Sequence, residues 1–191
     1  MKEDILEQIV DDYCRAIGYF TTANIKYRPS IDHPDYKSKK DSVHSDIDIM
    51  AFNPLKSQDD RTLVINCKSW QDGFRTEYEL SNIINNKKIS GRDAKLRFRE
   101  LTIPKWASAL RNKVEEITGS KKFTYILAVT KIVGNKETWE QNQDFLQTLG
   151  NPIKMISMRE MFDYLSENMT TTPAGSDIGR LIQVLKASGS I

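Results

Sequence analysis

The stretch RTLVINCKSW, Arg61 to Trp70, carries three consecutive apolar residues, Leu63 to Ile65, with no polar alternation between them. A strand of that kind is covered on both faces, so the chain must place a layer above and a layer below one sheet. KFTYILAVTKIV, residues 122–133, is the strongest strand in the sequence, and YFTTANIKYR, DIDIMAF and IKMIS read as three more. The covering layers come from helical periodicity. Ile5, Leu6, Ile9, Val10, Tyr13, Cys14 and Ile17 recur at helical spacing over residues 2–17, with acids in the first turn, where the helix dipole favours them, and Gly18 as a stop. Residues 76–90, 104–118 (opened by Pro104), 137–149, 158–168 and 177–187 read as further helices. Residues 29–44, polar and holding Pro29 and Pro34, read as a long loop. The predicted order is α-β-β-β-α-α-β-α-β-α-α, an α/β fold with a central mixed sheet and helices on both faces.

A length of 191 residues suits one domain, read as residues 1–170, with 171–191 a linker and a helix packed on the same domain. The linker is TTTPAGS, residues 170–176. No run approaches the ~18 apolar residues of a membrane helix. The N-terminus opens on the acids Glu3 and Asp4 rather than the basic-then-apolar layout of a signal peptide, so a cytoplasmic protein with no membrane partner is expected. Cys14 and Cys67 are too few for a disulfide framework and read as small buried hydrophobes. His33 and His44 are too few for a histidine-built cage, so any metal would be held by oxygen ligands, which suits magnesium or manganese. There is no glycine-rich phosphate loop, no dinucleotide fingerprint and no serine in a nucleophile-elbow context.

The formal net charge is +2, but it is unevenly spread. Residues 85–113 hold nine basic residues, Lys87, Lys88, Arg92, Lys95, Arg97, Arg99, Lys105, Arg111 and Lys113, against two acids, Asp93 and Glu100. A charge run is ordinarily a solvated face. This imbalance points instead to a polyanion surface.

DIDIMAF alternates, with Ile47, Ile49 and Ala51 on one face and Asp46, Asp48 and Met50 on the other. The next strand ends in Asn66-Cys67-Lys68. Paired strands lie ~5 Å apart, so Asp48 and Lys68 can share one site. A magnesium ion on such a carboxylate binds a phosphate oxygen and lowers the pKa of a bound water. The lysine orients that water and offsets charge on the phosphate.

These residues resemble the PD-(D/E)XK nuclease superfamily, whose signature is an acid on one hairpin strand and acid-x-Lys on the next. Asp48 matches the first acid, Asn66-Cys67-Lys68 the second element, and Glu7 ahead of Gly18-Tyr19-Phe20 the helix glutamate of Mrr-type restriction endonucleases and archaeal Holliday junction resolvases. The resemblance covers roughly residues 1–160. It implies a restriction-endonuclease-like fold and a metal-dependent DNA endonuclease using Mg2+ or Mn2+. In that reading Asp48 is the principal metal ligand, Glu7 assists, Asn66 contributes an amide oxygen, the Cys67 carbonyl completes the shell and Lys68 positions water. Lys87, Lys88, Arg92, Lys95, Arg97 and Arg99 would contact DNA phosphates, and a homodimer is compatible with the family. Asn66 departs from the usual Asp or Glu, and Mrr-like members carry an uncharged Gln there. Three alternatives stay open: Asp46 supplies the missing carboxylate, the copy has lost its chemistry and binds DNA or assembles, or the basic patch meets an acidic protein partner of a defence or mobile-element system. In an inactive scaffold Lys68 would simply pair with Asp48.

Overall fold

The computed structural model describes residues 4–168 and 174–190. Helix α1 (Ile5–Ala16) is capped by Asp4, whose side chain accepts from the Leu6 N–H at 3.0 Å, and the chain leaves it through Gly18 at φ +89°. Strand β1 (Phe20–Tyr27), a single turn α2 (Ser38–Asp41), and strands β2 (Ser45–Phe52) and β3 (Thr62–Lys68) follow. Next come β4 (Phe74–Arg75), α3 (Thr76–Ile84), the hairpin β5 (Lys88–Ile89) and β6 (Arg92–Asp93), a 3-10 turn over Ala94–Phe98, and the short α4 (Arg99–Thr102). Helix α5 (Pro104–Thr118) begins on its proline. The chain ends in β7 (Thr124–Val129), β8 (Ile132–Val133), α6 (Glu137–Glu140), α7 (Gln143–Leu149), β9 (Ile153–Ser157), α8 (Met158–Asn168) and α9 (Asp177–Ala187).

The main sheet has the order β1-β2-β3-β7-β9. The β1-β2 and β2-β3 pairs are antiparallel, whereas β3-β7 and β7-β9 are parallel, so the sheet is mixed. Helices flank it. On one face Val64, Tyr125, Leu127 and Met155 pack with Phe98, Trp106, Leu110 and Trp139. On the other, Leu63, Ile65 and Ala128 pack with Leu6, Val10 and Cys14 of α1, Met161 and Leu165 of α8 and Ile182 of α9. Val64 and Ile65, adjacent in β3, thus serve opposite cores, as the unbroken apolar run requires. Among the described residues no helix is long and apolar enough to cross a membrane.

Several expectations need correction. The helix read over 76–90 stops at Ile84, and residues 88–93 form a hairpin whose turn residues Ser90 and Gly91 both have positive φ, +50° and +76°. Asn86, at φ +50°, directs the chain out of α3. The helix read over 137–149 is two, because the Asn142 side chain accepts from the Phe145 N–H at 3.1 Å and starts α7 anew. The loop 29–44 contains α2, anchored by buried Asp41, which accepts from the Lys37 N–H at 2.7 Å and Lys105 Nζ at 2.6 Å. Residues 2–3 of the first predicted helix and 170–173 of the predicted linker lie outside the described residues.

The alternation of DIDIMAF also breaks. Ile47 joins the same core as Met50, whereas Ile49 and Ala51 join the opposite one. On β1, Ile25 and Tyr27 face the first core, and Thr21 to Asn24 run along a cleft beside α1. β2 therefore changes faces around Asp48, the position at which its register with β1 skips a pair and Asn24 takes φ +57°. A residue at positive φ interrupts the regular extended backbone, and strict alternation fails beside it although the register continues unchanged.

Candidate active site

Asp48 sits where β2 and β3 part. Their ladder runs from Phe52↔Thr62 to Ile49↔Ile65 and stops one pair short of Asp48. The carboxylate fills the gap, with Oδ2 accepting from the Cys67 backbone N–H at 2.6 Å. Among the described residues its other oxygen takes no hydrogen bond. Burial pushes the Asp48 carboxyl above the ordinary aspartate value of 3.8, opposed by the Cys67 N–H and the Lys68 charge and reinforced by Glu100 and Asp46.

Asn66 and Lys68 are two residues apart on β3 and share a face. Lys68 Nζ donates to Asn66 Oδ1 at 3.1 Å. Asn66, 9% exposed, passes the contact on: its Nδ2 donates to Glu100 Oε1 at 2.9 Å. The Tyr125 hydroxyl donates to the same oxygen at 2.5 Å. Burial first, then Glu100, holds the Tyr125 hydroxyl well above its ordinary pKa, so it remains a donor. Glu100, 2% exposed, lies on α4, 34 residues beyond Asn66. It brings a carboxylate beside the position where an asparagine stands, and it was not singled out from sequence. Its signal was present, as one of two acids in the basic stretch 85–113. An acid isolated among cations is a candidate for burial with donors.

The same corner holds an orphan. Among the described residues the buried Tyr27 hydroxyl has no hydrogen-bond partner. Ser45 stands opposite it in the strand register, near enough to lower its pKa as a hydrogen-bonding neighbour would but outside good hydrogen-bond geometry. Burial first and then Glu100 push the Tyr27 hydroxyl well above its ordinary value, and Asp48 and Arg99 also act on it. A buried hydroxyl of this kind, within electrostatic reach of Glu100 and Asp48, suits a water partner.

Glu7, half-buried on α1, is on the other side of β3. It acts with Asp48 on the Cys67 thiol, which burial foremost pushes up. The Ser69 hydroxyl donates to Asp4, so the start of α1 is tied to the end of β3. Asp46 is exposed and opposite Lys26 in the register. Both cysteines are free, Cys14 buried and Cys67 half-buried.

Among the described residues no group of three or more His, Cys, Asp or Glu stands ready to hold a metal ion. Among the described residues Asp48 still offers one uncommitted oxygen beside the Cys67 peptide. A magnesium ion is commonly held by one or two carboxylates with water and substrate phosphate completing its shell, rather than by an all-protein cage. The donor set fits that sparse mode and not a closed cage.

The basic stretch divides in two. Lys87, Lys88 and Arg92 are exposed on the hairpin, and Lys95 is half-buried where the 3-10 turn begins. Arg97 instead lies 4.1 Å from the centre of the Trp70 ring, and its Nη1 is 3.0 Å from Glu79 Oε2. Arg99 lies 4.5 Å from the Trp106 ring centre. Trp70 itself stacks on Phe74 at 5.1 Å, which makes it a packing residue. Arg111 is also committed, donating to the carbonyls of Thr148 and Leu149 at 2.9 and 2.7 Å.

No protein-family model, no curated protein and no solved structure matches this chain.

Proposed function

We propose that this protein is a restriction-endonuclease-like hydrolase that cleaves DNA phosphodiester bonds with Mg2+ or Mn2+. The observation that carries the reading is the parting of β2 and β3 at Asp48. It leaves a carboxylate oxygen uncommitted next to a strand ending in Asn66 and Lys68. A divalent ion there would supply a Lewis acid for a phosphate oxygen and a more acidic water. Asp48 and the Cys67 carbonyl are the residues to hold it, with Glu7 assisting from α1. Lys68, steadied through Asn66 by Glu100, carries a positive charge toward the scissile phosphate and orients the attacking water. Glu100 is a positioning residue here. The exposed cations of the β5-β6 hairpin, Lys87, Lys88 and Arg92, are the ones free to meet phosphates.

The test is cleavage of plasmid and single-stranded DNA with Mg2+ and Mn2+, comparing wild type with Asp48→Ala and Lys68→Ala. Nicking by the wild type alone supports the reading. If nothing cuts, Asn66→Asp and Asn66→Glu are assayed, and cutting restored by either identifies a nuclease scaffold that lacks one charge. Silence in every variant removes the hydrolase reading. The second reading is a non-cleaving DNA-binding or assembly subunit of the same fold. It is favoured by the missing acid at Asn66 and the lack of a three-acid group among the described residues. It expects duplex binding with no cleavage under either metal.

A further inference from the structure

Past the end of β7 the chain turns through Thr130 to Asn135. With the beginning of α8 this turn lines a cleft of about 480 Å³. Lys131, Lys136 and Arg159 stand in its wall with Glu160, and a second carboxylate, Glu77, borders it by accepting from the Asn135 N–H at 2.9 Å. Glu160 is already engaged, because its Oε2 accepts from both the Ser157 N–H and the Ser157 hydroxyl at 2.7 Å. Its contact with Lys136 is long, 3.5 Å, and exposed. Arg159 has only a 3.5 Å contact with Asp163, and its side chain is 87% exposed. Lys131 is exposed and has no ion pair among the described residues. Linear charge counting could not find this cleft. Residues 114–191 hold eight basic and nine acidic residues, and only folding brings three of the cations together.

The cleft is fixed rigidly to the candidate active site. Val129 is the register partner of Lys68. Lys131 follows two residues after that register partner. The Thr130 hydroxyl donates to the Trp70 carbonyl at 2.5 Å, and the Phe74 N–H donates to the Lys131 carbonyl at 2.7 Å. Strands β4 and β8 then pair, Phe74 with Ile132 and Arg75 with Val133. The segment after the lysine strand and the wall of the cleft are thus one unit.

We propose that this cleft is a track for the phosphate backbone of DNA, gripping the strand beside the phosphate presented to Asp48 and Lys68. It deepens, and rests on, the DNA-acting reading above. Exposed cations on a concave wall, whose neighbouring carboxylates Glu160 and Glu77 are already hydrogen-bonded to Ser157 and Asn135, attract a polyanion without reading its bases.

The experiment is fluorescence anisotropy on a labelled duplex of about 20 base pairs in EDTA, between about 50 and about 200 mM salt. Wild type is compared with Lys131→Ala/Arg159→Ala and with the hairpin variant Lys88→Ala/Arg92→Ala. The cleft variant is expected to bind about tenfold more weakly on unrelated sequences, with the log affinity–log salt slope reduced by about two. Its thermal midpoint should be unchanged, since both side chains are exposed. Unchanged affinity and slope in the cleft variant, with binding lost in the hairpin variant, would overturn the track and leave the DNA reading standing. Weaker binding with an unchanged slope would also overturn it, because the loss would not be of phosphate contacts. A wild type that binds no duplex at the lowest salt removes both readings together.

Discussion

Glu100 decides how the candidate site is held. Its one oxygen receives both Asn66 and Tyr125, so the lysine on β3 rests on an amide that rests on a buried carboxylate. Removing a buried acceptor leaves each donor unsatisfied, at about 1–3 kcal/mol apiece. Glu100→Ala should therefore lower stability by at least about 2 kcal/mol in urea unfolding. Glu100→Gln, which keeps an acceptor, should lower it less, and equal losses in the two variants would sink this account. Asp48 gives a pH signature. Burial raises its carboxyl above 3.8, so the native state holds a proton that the unfolded chain has released, and stability falls as pH rises from the ordinary value through the raised one. Asp48→Asn keeps an acceptor for the Cys67 N–H but does not titrate. Relative to that variant the wild type should lose stability over this interval and then level off. Urea midpoints across pH check the sign, and added Mg2+ should flatten the slope if the ion binds this carboxylate. Asp48 and Lys68 were legible as residues because neighbouring strands force proximity. Glu100 was not, because 34 residues of chain separate it from Asn66 and no local period links them.

At the scale of elements, the segment from α3 to α4 sorts cations by what lies beneath them. Arg97 covers Trp70 and neutralises Glu79, whose side chain is only 8% exposed, and burial already raises the Glu79 carboxyl. Arg97→Ala should destabilise the fold by about 1–2 kcal/mol through the lost cation–π contact and the stranded acid. Lys88→Ala/Arg92→Ala, on the open hairpin, should stay within about 0.5 kcal/mol of wild type while weakening duplex binding. Thermal melts beside anisotropy separate the two effects, and the reverse assignment would show that the footprint lies on Arg97 and Arg99. The hairpin itself was missed because its strands are two residues each. That is too short for an alternating pattern to register against the helical periodicity of α3. Helices α5, α8 and α9 were legible, each carrying an apolar stripe long enough to set its own phase.

For the whole molecule, the two cores share the strands that divide them. Val64 and Ile65, or Leu127 and Ala128, cannot keep their extended backbone if either face is stripped. Unfolding should therefore be one cooperative transition. All three tryptophans, Trp70, Trp106 and Trp139, belong to one core, so fluorescence reports that face, whereas far-UV circular dichroism also reports α1, α8 and α9. Coincident midpoints are expected, and separated ones would mean the faces melt independently. The sequence by itself determined the mixed α/β order, the doubly covered β3 and the adjacency of Asp48 to the Asn66-Cys67-Lys68 strand. Each of these follows from side-chain period and strand pairing, which act over a few residues. Tertiary structure alone decided that Asn66 is held by Glu100, that Arg97 and Arg99 are stacked on tryptophans rather than open to solvent, and that Lys131, Lys136 and Arg159 share a cleft. Those facts depend on which distant segments the two cores press together, and no local pattern encodes an approach between residues that meet only after the sheet has closed.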